Sequence, residues 1–90
     1  MEFIGKIIYQ GDKRSGTNDK GEWEAQDFVA ENTEGQVNEK LLFSVYGSER
    51  LKNFNIQMGE TYVIEFNLNA TKAKNGGWFQ NNKAYKVTLK

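Results

Sequence analysis

The residues of this chain best equipped for chemistry are aromatic and cationic, not nucleophilic. Trp78 follows the Gly76-Gly77 pair inside "NATKAKNGGWFQNNKAYK", among Lys72, Lys74 and Lys83. Trp23 closes the stretch "KGEW", just after Arg14 and Lys20. A flat ring beside cations suits one ligand class above others: a nucleobase stacks on the ring while its phosphate meets the cation. Tyr46 ends the run "KLLFSVYG" out of phase with Phe43 and Val45, and is a third candidate platform. Each of these residues also has a plainer reading. Trp78 can cover a neighbouring strand on the outside of a sheet, Tyr46 can end a strand with its hydroxyl in water, and loop cations can simply be solvated.

The parts for other chemistries are missing. The 90 residues include no histidine and no cysteine. Ser15 and Ser48 therefore have no imidazole base, and disulfides, thiolate metal sites and iron–sulfur clusters are excluded. The stretch "GDKRSGTNDKGE" has three glycines but not the GxxxxGK[ST] pattern of a phosphate loop, and it leads into no helix. The acids from Glu22 to Glu39 do not follow the ligand spacing of a calcium loop. A non-catalytic protein with no cofactor and no metal is expected.

Charge sharpens this. Twelve basic and 12 acidic residues cancel, yet they are segregated. From Gly21 to Glu39 there are six acids and no base; from Phe66 to Lys90 there are five lysines and no acid. A neutral chain can thus present a cationic face to an anionic partner. Faces of opposite sign also suit the pairing of two copies with an edge strand as the seam. A protein–protein assembly module without nucleic-acid binding is accordingly the alternative function.

The elements that must position these residues are strands. "TYVIEFNLNA" alternates with Tyr62, Ile64, Phe66 and Leu68 on one face, and "KLLFSVYG" alternates likewise. "EFIGKIIYQ" is β-rich at both parities, as befits a strand whose ends serve different sheets. "EWEAQDFVAE" and "WFQNNKAYKVTL" bring the number of strands to five. "GDKRSGTNDKGE" reads as a hairpin loop, "TEGQVN" as a turn, and "KAKNGG" as a two-residue Asn-Gly turn. "GSERLKNFNIQMGE" reads as a short helix, with Ser48 as N-cap and Leu51 and Phe54 on one face. In the last strand, Tyr85, Val87 and Leu89 set odd numbers inward, which places Phe79 inside and Trp78 outside unless a bulge intervenes.

The order β-β-β-α-β-β is that of an all-β, five-stranded OB-fold Greek-key barrel with a short helix between strands 3 and 4. An SH3-like barrel, the nearest rival, usually lacks that helix. The whole chain, residues 1–90, reads as one OB-fold domain with Leu51 and Phe54 plugging the barrel.

Two stretches resemble a family of small, largely uncharacterised OB-fold proteins from Bacteroidetes-type bacteria and their phages. The first carries "GKI" at Gly5 to Ile7, "RSGT" at Arg14 to Thr17 and "KGEW" at Lys20 to Trp23. The second runs "FSVYG…LKNF…GETYVIEFNLNA…GGWFQNNKAYKV" to near the end, so the resemblance covers nearly the whole chain. That family is similar, more distantly, to bacterial single-stranded-DNA-binding and primosomal replication proteins. The resemblance implies an OB-fold and single-strand binding. One departure is expected: no acidic tail of the kind that recruits partners to classical single-strand binders.

The combined expectation is a module that binds single-stranded DNA, with RNA as the other candidate, without sequence preference. Trp23, Tyr46 and Trp78 would stack bases; Arg14, Lys20, Lys72, Lys74 and Lys83 would line the backbone path. The long apolar core of a signal peptide and any membrane-length apolar run are lacking, so a cytoplasmic protein with no membrane partner is expected, able to form homo-oligomers.

Overall fold

The period-two pattern builds strands, and the strands close on themselves. The computed structural model describes residues 1–32 and 38–90; the turn expected at "TEGQVN", residues 33–38, lies outside the described ones but for Asn38. The elements are β1 (Glu2–Gln10), β2 (Arg14–Asn18), β3 (Gly21–Asn32), β4 (Glu39–Tyr46), α1 (Ser48–Phe54), β5 (Thr61–Lys72) and β6 (Trp78–Leu89). The sheet order is β1-β5-β6-β4-β3-β2, and an extra β1–β3 pairing joins the ends of a five-stranded ring. Strand β2 lies outside that ring on β3. The seam between β4 and β6 is parallel and is made at one register pair, Ser44 with Lys83. A ring closed so narrowly is the partly open barrel of an OB-fold, with the helix between its third and fourth barrel strands. Among the described residues no helix is long and apolar enough to cross a membrane.

Strand β1 is apolar at both parities because it has two neighbours. Glu2–Lys6 pair with β5, Lys6–Gln10 pair with β3, and a bulge between Ile7 and Tyr9 turns the strand from one to the other. The first loop differs from expectation. Its residues Arg14–Asn18 form β2, which folds back on β3 around Asp19 and Lys20, with the Lys20 amide donating to Asn18 Oδ1 at 2.8 Å.

The core fills the ring with Ile7, Phe28, Phe43, Val45 and Ile64, all fully buried. Phe28 and Phe43 lie opposite each other in the β3–β4 register, and their rings stack with centroids 5.5 Å apart. Leu51 and Phe54 of α1 pack against this cluster, as the plug they were expected to be, and Ile56 beyond the helix is buried with them. Ser48 is not the N-cap. Gly47 holds that position at φ 103°, with no side-chain cap, and Ser48 is the first helical residue. At the other end Asn55 is left-handed, and its amide donates to the Leu51 carbonyl.

The last strand carries the main correction. Tyr85 and Leu89 are exposed, whereas Ala84 is buried. Phe66 pairs with Ala84 and Glu65 with Lys86, so Tyr85 is an extra residue and the strand bulges there. Before the bulge, the even-numbered residues continue the barrel-side face. Trp78 therefore shares the face of Ala84, and Phe79 the outer face, the reverse of the strict count. Both are exposed, because the β5–β6 hairpin runs past the barrel: every residue of β5 from Asn67 on is exposed. The turn at its tip is also longer than expected. The Gly76 amide donates to the Ala73 carbonyl at 3.0 Å and the Ala73 amide to the Gly77 carbonyl at 2.7 Å. Gly76 sits at φ 90°, so Lys74, Asn75 and Gly76 form a three-residue loop.

Candidate nucleic-acid interface

Residues paired across an antiparallel ladder point to the same side of the sheet. The register thus defines the outer face of β2, β3, β4 and β6 without ambiguity. Gly16 faces Trp23; Arg14, Ala25 and Tyr46 stand in one row; Asp27 faces Ser44; Val29 faces Leu42. Ser44 in turn pairs with Lys83, which brings Lys83, Asn81 and Phe79 of β6 to the same side. Beyond that one pair, β4 and β6 diverge. An open cleft of about 480 Å³ lies between them, lined by Arg14, Asp27, Leu42, Ser44, Tyr46 and residues 79–82.

The cleft has an aromatic and cationic rim. Lys83 Nζ sits 4.8 Å from the centre of the Tyr46 ring, where the ring quadrupole attracts it. Phe79 is 52% exposed and Leu42 60%, so apolar surface stands open on both sides. The floor is a hydrogen-bonded set. Arg14 Nη2 donates to Asp27 Oδ1 at 2.8 Å, and the Ser44 hydroxyl donates to the same oxygen at 2.5 Å. Asn82 donates its side-chain amide to the Leu42 carbonyl at 3.0 Å, bridging the gap where the backbone ladder has stopped.

Trp23 lies further along the same face. A Cβ at Gly16 would meet the indole at 2.7 Å, so the ring lies directly on the β2 backbone and only glycine allows it. Trp23 and Tyr46 share a hollow with Asn18, Glu24 and Gly47. The charged residues lining the hollows around the indole are Glu22, Glu24 and Glu49. Arg14, which the sequence put beside it, is tied instead to Asp27.

The eight residues singled out in the sequence are therefore divided. Arg14, Trp23, Tyr46 and Lys83 share the outer face. Lys72 and Trp78 pair with each other on the opposite face of the projecting hairpin. Lys20 and Lys74 sit at the tips of the β2–β3 and β5–β6 hairpins. Lys72, Lys74 and Lys83 have no acidic partner among the described residues, unlike Lys40 with Glu31 and Lys86 with Glu65. Phe79, Leu42, Asp27 and Asn82 were not among the eight. Phe79 was misjudged through the Tyr85 bulge, and Asp27 is legible as a face residue only once its partner Ser44 is known. Among the described residues no cluster of three or more His, Cys, Asp or Glu could hold a metal ion.

A five-stranded barrel closed by one parallel seam, with a helix at its end and an open outer face, defines an OB-fold domain of the kind found in SSB proteins. The chain belongs to the family described as Domain of unknown function (DUF3127), which matches residues 2–88. Its fold is similar to the SSB domain of a protein from Synechococcus sp., with a TM-score of 0.65 at 8% identity over 98% of this chain and 91% of that one. At so low an identity the likeness is one of fold. No curated protein matches the chain.

Proposed function

We propose that this domain binds single-stranded nucleic acid, DNA in the first instance, across the outer face of β3, β4 and β6. Tyr46 and Phe79 offer stacking surfaces at the cleft and Trp23 a further one along the face. Lys83 meets phosphates beside them, and Lys72 and Lys74 extend the cationic path over the hairpin, with Trp78 on its other side. The observation that carries this reading is the juxtaposition of Lys83, Tyr46 and exposed Phe79 around one open cleft. Stacking contributes ~1–3 kcal/mol per base, so two platforms and a few cations suffice for micromolar affinity.

The test is a fluorescence titration of the two tryptophans with a mixed-sequence single strand, as DNA and as RNA, at two salt concentrations. Affinity should fall steeply with salt, because each phosphate contact releases counterions. An unchanged signal at low salt with both strands would dismiss the reading.

Assembly is the second reading, and a specific observation favours it. Leu68 and Trp78 are exposed together on the barrel-side face of the lysine-bearing hairpin, whereas the hollows around Trp23 are lined by Glu22, Glu24 and Glu49. A concentration-dependent oligomer that Trp78→Ala dissolves, in a protein that ignores oligonucleotides, would favour this alternative.

A further inference from the structure

We propose that the cleft floor selects bases bearing an exocyclic amino group over thymine and uracil, with Asp27 as the selecting residue. This rests on the single-strand reading above and replaces the expectation of binding without sequence preference.

The argument is one of donors and acceptors. Asp27 stands on the outer face of β3, and its side chain is 36% exposed. Its Oδ1 already takes both the Arg14 guanidinium and the Ser44 hydroxyl, which together fix the plane of the carboxylate. Among the described residues Oδ2 receives no hydrogen bond. An ionised carboxylate offers only acceptors, so what this oxygen presents to a ligand is an acceptor held in place. Asn82, in the wall of the same cleft, adds to this. Its amide nitrogen is committed to the Leu42 carbonyl, which settles the orientation of the group. Its Oδ1 is buried and has no donor. Flipping the amide would set two carbonyl oxygens against each other. The buried oxygen is out of a ligand's reach and adds only its partial negative charge behind the wall, so Asp27 is the acceptor a base would meet.

The free Asp27 oxygen in the floor is complementary to N–H. Cytosine presents its N4 amino group there, and adenine and guanine theirs. Thymine and uracil present a carbonyl oxygen where cytosine presents its amino group, and that oxygen meets the Asp27 carboxylate unfavourably. Hydrogen bonds to a charged acceptor are the stronger kind, and aspartate accepting from cytosine N4 is an established pairing chemistry. The ion pair with Asp27 also neutralises Arg14, so the floor adds little attraction for phosphate. Affinity for the backbone then comes from Lys83, Lys72 and Lys74, and base choice from the floor.

The experiment compares oligo-dC and oligo-dT of equal length, at one salt concentration and mildly alkaline pH, on the whole chain. The wild type should bind oligo-dC about tenfold more tightly than oligo-dT, the size of one good base contact. In Asp27→Asn, Arg14 and Ser44 keep the remaining oxygen, and an NH2 donor takes the place of Oδ2. The preference should vanish or invert toward oligo-dT. Equal wild-type binding of the two strands, with the mixed-sequence strand still bound, overturns base selection alone. A dC preference that survives Asp27→Asn overturns the role of Asp27. Failure to bind any strand overturns the single-strand reading with it. The wild-type comparison needs no variant, so a poorly folding Asp27→Asn leaves the central claim exposed to test.

Discussion

Strands β5 and β6 run through two different environments. In the barrel half, Tyr62, Ile64, Phe66 and Ala84 are buried and alternate with more exposed neighbours. In the projecting half, the same alternation continues through Leu68 and Ala70, yet all of β5 beyond Phe66 is exposed. Hydrogen bonding is alike in both, since the β5–β6 ladder runs from Tyr62–Leu89 to Lys72–Trp78 with one bulge. The difference lies in what faces the ladder. The N-terminal strand follows β5 only as far as Phe66, which exchanges two hydrogen bonds with Met1, and the β4–β6 ladder is made only at Ser44 and Lys83, with Asn82 bridging to Leu42 beyond it. Past those points the hairpin has no barrel to cover. Burial here is set by where the neighbouring strands stop, and an aromatic beyond that line is available to a ligand.

The contrast can be tested by removing one aromatic from each region. Phe43→Ala deletes a fully buried ring stacked on Phe28 and should cost about 3–5 kcal/mol in denaturant unfolding. Loss of less than about 1 kcal/mol there would mean that the barrel does not depend on this pair. Phe79→Ala, on the projecting half, should leave stability within about 0.5 kcal/mol of wild type yet weaken single-strand binding by about 1–3 kcal/mol. The comparison is sharper with Trp78→Ala, which removes the larger ring from the other face of the hairpin. Its effect on binding should be the smaller of the two; the reverse order would move the binding path to that face. Smaller still is the change in Lys83→Gln. It removes the cation over Tyr46 and should lower the dependence of log affinity on log salt by about one unit, read from titrations at several salt concentrations. An unaltered salt slope would show that Lys83 meets no phosphate.

Much of this was legible in the residues. The alternation in "TYVIEFNLNA" gave β5, and the two-parity run "EFIGKIIYQ" foretold a strand shared between two neighbours. Leu51 and Phe54, three apart, marked the face of a helix that plugs the barrel. The site was only partly legible. The glycine-rich first loop hid strand β2, because Gly, Asn and Asp signal turns whatever lies between them. The bulge at Tyr85 left no mark in the alternation of Tyr85, Val87 and Leu89, so the count ran to the wrong face. Asp27 read as one more acid in an acidic stretch, since its link to Ser44 and Arg14 depends on strand register.

The amino acids alone settled the five strands of the barrel, that histidine and thiol chemistry are absent, and that cations collect toward the C-terminal end, since these depend on residue type and local periodicity. Tertiary structure alone decided which aromatic faces the cleft, which cations stay unpaired, and that Asp27 meets Arg14 and Ser44 there. Those outcomes depend on register and on where each strand ends. One extra residue in a ladder carries every side chain beyond it to the other face, a shift that local pattern does not record.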